Sequence, residues 1–449
     1  MLWPRTVVVF GAPSSIDELG ELIQSLGPSC VLVEDEAALA EALGNRDSCC
    51  LIDADAKSKD GRVDDRVLEL VRRSGRRALV LSSSGDPAEI DRVIEGGVED
   101  YVSRPVHRRE LVLRLNALLR EKDRVVCIGG GTGLFAVLTA LKSLPSMLLT
   151  SVVSMADDGG SSGRLRASFG ILPPGDVRRS LVALSNAPEL MNHVMGYRFM
   201  SGAGLDGHNV GNLILAALAD LTGDMPQAVK ALGDILNVQG LVLCITGQES
   251  TLCAEFEGGK TVRGESQIDL CTGRDPALKL TRLWHEPATR CAPDVYASIL
   301  AADLVIIGPG DLYTSVVAGL AVGDVGRAIA KTKAHRLYIC NLMTKPGETH
   351  GYDVADHVRE TIRYIGGDHL DEVLVSTTLP SPAAVLEYRA KGQFPVRLKD
   401  RGALAAITRA QILEEDVGHH SQLVRHDEAK LRATVERVLE ERASATADL

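Results

Sequence analysis

Aromatic side chains are scarce in this chain: Phe, Trp and Tyr make up 4% of 449 residues. Surfaces that bind single-stranded nucleic acid stack bases on aromatic rings, so the composition argues against that class. Positive charge is also short. Forty-nine Lys and Arg stand against 60 Asp and Glu, a formal net charge of −11. Such a chain has no general attraction for DNA or anionic membranes. No run of about 18 apolar residues occurs, so no membrane span is expected. The opening Met1-Leu2-Trp3-Pro4-Arg5 leads straight into Val7-Val8-Val9-Phe10. That run is too short for a secretory core and reads as a first strand. The nine cysteines are an odd number; Cys127, Cys244 and Cys340 lie in apolar runs, and Cys49-Cys50 lacks metal-ligand spacing. Buried, reduced thiols in a cytoplasmic protein are the expectation.

Glycine, in contrast, is abundant at 43 residues, with 45% hydrophobic and 24% charged residues. This is ordinary globular usage, compatible with α/β cores and tight ligand loops. The length allows two to four domains at roughly 100–200 residues each. Strand signals at 6–10, 30–33, 49–52, 78–82 and 100–102 alternate with helical ones such as 87–96 and 107–121. Five βα units predict a small doubly wound parallel sheet. The charged stretch Glu121-Lys122-Asp123-Arg124 then precedes a new strand at 125–128, placing a boundary near residue 122. The domains expected are 1–121, 122–430, and a charged C-terminal surface helix and tail over 431–449. The basic cluster Arg72-Arg73-Ser74-Gly75-Arg76-Arg77 reads as a solvated loop, and no nucleic-acid partner is expected.

The second part carries the chemistry. Strand 125–128 runs into Gly129-Gly130-Gly131-Thr132-Gly133-Leu134, followed by a helical pattern over 135–144. A Gly-rich turn at a helix start brings backbone donors to a phosphate. The spacing is neither GxGxxG nor a P-loop. A strand over 150–155 leads to Asp157-Asp158-Gly159-Gly160-Ser161-Ser162-Gly163-Arg164-Leu165-Arg166. Its Ser and Gly residues suit phosphate or ribose, its two arginines suit phosphoryl oxygens, and Asp157 and Asp158 suit a metal or a sugar hydroxyl. In Pro173-Pro174-Gly175-Asp176-Val177-Arg178-Arg179, Asp176 is either a helix cap or a ligand contact. Arg178 opposes the helix dipole, which favours a functional role. In His208-Asn209-Val210-Gly211-Asn212 the two amides either cap a helix or meet a base or sugar, and His208 is structural or catalytic. A second strand–turn–helix unit holds Gly308, Gly310, Asp311, Tyr313, Thr314 and Ser315, and a strand at 337–340 ends in Asn341. Two anion-ready turns fit a nucleotide diphosphate carrying a second group.

Two resemblances follow from these residues. The first part, through Asp53, Ser82, Gly97-Val98-Glu99-Asp100-Tyr101-Val102 and Arg104-Pro105, resembles a response-regulator receiver domain. That resemblance implies a phospho-acceptor at Asp53. Gly11-Ala12-Pro13 replaces the expected acidic pair, however, and Arg104 replaces the usual Lys, so Mg²⁺ support for acyl-phosphate chemistry is missing. Receiver-like folds pair, so a homo-oligomer or a protein partner through this domain is expected. The second part resembles the YvcK family of gluconeogenesis factors, within the wider superfamily of 2-phospho-L-lactate transferases. The resemblance rests on GGGTGL at 129–134, ADDGGSSGRLR at 156–166, LPPGDVRRSLVALS at 172–185, GHNVGNLILAAL at 207–218, IGPGDLYTSV at 307–316 and CNLMTKPGETHGY at 340–352. It implies a Rossmann-like α/β fold and binding of UDP-N-acetylglucosamine in a regulator that links central carbon flow to cell-wall synthesis and cell shape. Thr132, Asn209, Asn212 and the Arg, Gly and Ser residues of 159–166 would contact the ligand. No cofactor is implied with certainty. The alternative is a transferase using a nucleotide diphosphate donor, in which Mg²⁺ would sit on Asp157 and Asp158.

Overall fold

Short unbroken apolar runs decide the first sheet. β1 (Thr6–Phe10), β2 (Ser29–Val33), β3 (Ser48–Asp53), β4 (Ala78–Ser82) and β5 (Asp100–Ser103) form a parallel sheet in the order β2-β1-β3-β4-β5. This is the flavodoxin-like order. Val7, Val9, Cys49 and Leu51 pack on one face, and Val8, Phe10, Cys50 and Ile52 on the other, as the two-residue strand period requires. The adjacent Cys49 and Cys50 therefore point to opposite sides of the sheet. All nine cysteines are free thiols.

The structure, a computed structural model, describes residues 6–45, 47–120, 122–271, 273–419 and 424–447. The lead-in Met1–Arg5, Glu121 of the charged stretch and the tail Asp448-Leu449 lie outside the described residues. Among the described residues no helix is long and apolar enough to cross a membrane.

The second part is built on a seven-stranded parallel sheet of β6 (Asp123–Gly129), β7 (Met147–Val153), β8 (Leu241–Cys244), β12 (Leu304–Ile307), β13 (His335–Ile339), β14 (Glu372–Ser376) and β15 (Gln411–Glu415). The order is β15-β14-β13-β12-β6-β7-β8. A three-stranded antiparallel sheet, β10-β9-β11, joins β9 (Thr251–Phe256), β10 (Thr261–Arg263) and β11 (Leu280–Glu286). The sequence reading did not anticipate this small sheet, because its short strands are defined by pairing rather than by a long apolar pattern.

Two expectations are corrected. The strand expected at 150–155 starts at Met147 and ends at Val153, since Met147-Leu148-Leu149 are buried. The C-terminal helix, Glu428–Ala447, is not a surface appendage: Leu431, Val435, Val438 and Leu439 are buried in the main core.

The two units share a buried polar seam. Arg114, on the helix Arg108–Arg120, donates to Asp100 (2.9 Å), Glu110 (3.0 Å) and, across the seam, Ser298 (3.0 Å). Lys230 bridges Glu110 (2.9 Å) and Asp294 (3.1 Å), and Asp294 accepts the Ser103 amide (2.9 Å). Farther along, Asp91 accepts from Tyr296 and Lys331 (both 2.7 Å) and pairs with Arg327. The β5 side of the first unit is thus covered by the second.

Candidate functional site

β6 is the first strand of the large sheet, and the chain leaves it toward β7 on one side and later returns at β12 on the other. The carboxyl ends of β6 and β12 therefore flank a topological switch point, where open α/β sheets bind ligands. The turn after β6 folds directly into the helix Gly131–Leu141, four residues earlier than the apolar pattern suggests. Gly133 packs on the turn after β12 so tightly that a Cβ would lie 2.5 Å from the Pro309 carbonyl oxygen. A Cβ on Gly130 would lie 2.5 Å from Asp176 Oδ2 and 3.4 Å from Ser315 Oγ. Gly131 sits beside Ser315 and Arg179, and Thr132 is exposed in the first helical turn.

The segment 157–166 is a turn that runs into the helix Gly160–Phe169, whose N-cap Gly159 offers no side chain to its free amides. Ser161 and Ser162 are buried on its inner side. Ser161 Oγ lies 3.2 Å from His208 Nδ1 and accepts the Asn209 amide at 3.2 Å. Asn209 caps the helix Val210–Thr222 by accepting the Asn212 amide, and its Nδ2 donates to the Gly196 carbonyl at 2.9 Å. Asn212 Oδ1 accepts from Arg178 Nε at 2.9 Å, and Asn212 Nδ2 is 3.5 Å from Ser162 Oγ. Three motifs distant in sequence thus meet in one network. Burial, with help from the Arg164 and Arg198 charges, holds the His208 imidazole below its usual range. Arg178 is lowered to about 10, first by burial and then by Arg179 and Arg198.

Several expectations change here. Arg164 and Arg166 point apart. Two residues apart on a helix, they face different sides: Arg164 donates to the Asp206 carbonyl and Arg166 to that of Ser250. The two oxygens of Asp158 accept the Glu265 and Ser266 amides (3.1 and 2.7 Å) at the start of the helix Glu265–Leu270. Asp157 accepts the Gly159 amide and keeps its other oxygen over Gly175. Asp176 is not a cap: the cap position of the helix Gly175–Leu184 is Pro174, and Asp176 instead holds Arg179 (3.1 Å) beside Gly131.

The second anion-ready turn is already filled. Residues 312–317 form a π-helical turn, and Glu348, fully buried, accepts the Tyr313 and Thr314 amides (3.0 and 3.3 Å) and the Thr314 hydroxyl (3.0 Å). Tyr313 is a core residue bonded to Tyr352. Asn341 Nδ2 holds the Gly310 carbonyl (2.6 Å), and Gly308 packs near the Ile339 carbonyl. Asp311 faces Lys345 at 2.7 Å.

The sequence reading missed Glu265, Asp269, Lys345 and Glu348. Glu348 lies in KPGET, which supported the family resemblance without being read as a site residue, and Glu265 lies in VRGES at 262–266. Lys345 pairs with Asp269, Asp311 and Glu348. Burial raises Asp176 and Asp311, and pushes Glu265 from 4.5 to about 8 with help from Asp157 and Asp158. A carboxyl whose folded value is raised favours the fold most when protonated. Its contribution is complete below about pH 4.5 and is lost as the pH rises through about 8. Glu265→Gln should therefore flatten the decline in melting temperature across that window; an unchanged pH profile would remove Glu265 as its cause.

In the first unit Asp53 is 1% exposed and Arg104 donates to its Oδ2 at 2.8 Å. The Ser82 hydroxyl turns inward and donates to the Gly61 carbonyl.

Comparison with known proteins covers the second part. The family described as 2-phospho-L-lactate transferase CofD matches residues 125–418. A putative gluconeogenesis factor of Nostoc sp. is 43% identical over 338 residues, covering 74% of this chain and 72% of the relative. One from Thermotoga maritima is 40% identical, covering 70% of this chain and 99% of its own. The gluconeogenesis factor of Bacillus subtilis is 39% identical, with 72% and 99% covered. A crystal structure of a UPF0052 family member from Bacillus halodurans superposes with a TM-score of 0.66 at 37% identity, over 70% of this chain and 99% of that one.

Proposed function

The chain belongs to the CofD family, in the company of the gluconeogenesis factors, and on that premise we propose that it binds a nucleotide sugar, UDP-N-acetylglucosamine, as a cytoplasmic regulator linking central carbon metabolism to cell-wall synthesis and cell shape. The observation that carries the reading is the cluster of polar groups at the switch point. The uncapped start of the helix Gly160–Phe169 offers amide donors there, and the Ser161–His208 and Ser162–Asn212–Arg178 network stands beside it. A helix N-terminus attracts phosphate, while amides and hydroxyls suit a sugar or base.

A second reading is a Mg²⁺-assisted transferase acting on a nucleotide diphosphate donor. Asp158 is spent on backbone amides, but the carboxylate oxygens of Asp269, Asp311 and Glu348 lie within 4.8 Å of one another. A divalent ion held by them would offset charge on a diphosphate. Lys345 stands among these acids, so the ion would have to displace it.

Calorimetric titration with UDP-N-acetylglucosamine, UDP, GDP and NAD, each with and without Mg²⁺, separates the readings. Selective binding of the sugar nucleotide without turnover is the expected result. Binding of GDP alone, or Mg²⁺-dependent turnover of a donor, would replace the regulator with the transferase.

A further inference from the structure

A cavity of about 890 Å³ opens in the first unit where β1 and β3 end, within the size range of small-molecule sites. Leu19, Leu22 and Leu111 supply apolar lining, and Glu21, Asp53 and Arg104 are among its charged groups. Asp53 is the buried member. Arg104 occupies only its Oδ2, and its Oδ1, shut from solvent, accepts no hydrogen bond. Arg104 has also committed Nε to Asp55, at 2.8 Å. The lining holds the three carboxylates of Glu21, Asp53 and Asp55 against the two guanidinium groups of Arg104 and Arg108. An unpaired buried carboxylate oxygen is costly, and the lining carries one more carboxylate than it has guanidinium groups.

We propose that this pocket binds a small organic cation. A primary ammonium or amidinium group takes a share of the Asp53 carboxylate as Arg104 moves aside to uncover Oδ1, and an apolar body rests on the three leucines. A divalent ion alone leaves most of the cavity unfilled and makes no use of its apolar side.

The site adjoins the seam between the units. Arg104 directly follows Ser103, whose amide donates to Asp294 of the second unit at 2.9 Å. Arg104 and Pro105 also line a cavity of about 360 Å³ between the units. A cation that shares Asp53 with Arg104 alters the residue next to this hydrogen bond, so exchange of the Ser103 amide reports occupancy.

The test is calorimetric titration of the full chain with tryptamine and agmatine as probes, beside Mg²⁺ with beryllofluoride as a phosphoryl mimic. One of the amines should bind with 1:1 stoichiometry and change exchange at the Ser103 amide. Its affinity should fall at least tenfold in Asp53→Asn and also fall in Glu21→Gln, an exposed position where substitution spares the fold. Three outcomes would overturn the proposal: no binding of either amine, binding unchanged in both variants, or binding of beryllofluoride alone. The last would return the pocket to phosphoryl chemistry.

Discussion

Arg114→Met should cost about 3–5 kcal/mol of folding stability, the range for breaking a buried ion pair by removing one partner. Arg114, Asp100 and Glu110 are each 3% exposed. Without the guanidinium, Asp100 loses its ionic partner and Glu110 keeps only Lys230. Burial opposes the Arg114 charge, but the surrounding carboxylates outweigh it and raise the group above its usual value. Arg327→Met is the matched comparison. Its side chain is 45% exposed and its partner Asp91 retains Lys331 and Tyr296, so a loss of no more than about 1 kcal/mol is expected. Urea unfolding of both variants decides the matter. Equal, small losses would mean that the seam is held by apolar packing rather than by its ion network. The continuous apolar core that includes Ile90, Val93, Val295 and Ile299 supplies that packing.

Gly175→Val should lower affinity for UDP-N-acetylglucosamine about 100-fold, or about 2.8 kcal/mol. A Cβ at this position would lie 2.4 Å from Asp157 Oδ2 and 2.6 Å from Ser162 Oγ. Both side chains would have to leave their places, and Ser162 would draw Asn212 and Arg178 with it. Overpacking alone should cost about 1–3 kcal/mol of stability, so the titration is read on protein whose unfolding transition is still cooperative. Folded variant protein that binds the sugar nucleotide as tightly as the parent would move the site away from the switch point.

The sequence by itself determined the strands of the first parallel sheet and the Gly-rich junctions of the second. Unbroken apolar runs in TVVVF and SCCLID marked buried strands of the first sheet, and the Gly-rich turns at 129–133 and 308–310 marked the strand–helix junctions at the switch point. These signals are local, since strand and helix periods involve residues a few positions apart. The Asn209 cap, offered as one alternative, is likewise a three-residue relation. What only the tertiary structure decided is the partner of each charge. Glu348 reaches back 35 residues to fill the Tyr313 turn, and Asp158 reaches forward more than 100 to start the helix at Glu265. Arg164 and Arg166, two residues apart in the motif, separate because a helix carries them. A carboxylate saturates whichever donors the folded chain brings to it, and no spacing in the sequence records that choice. The same reason hides the seam, where Arg114 and Ser298 meet across 184 residues.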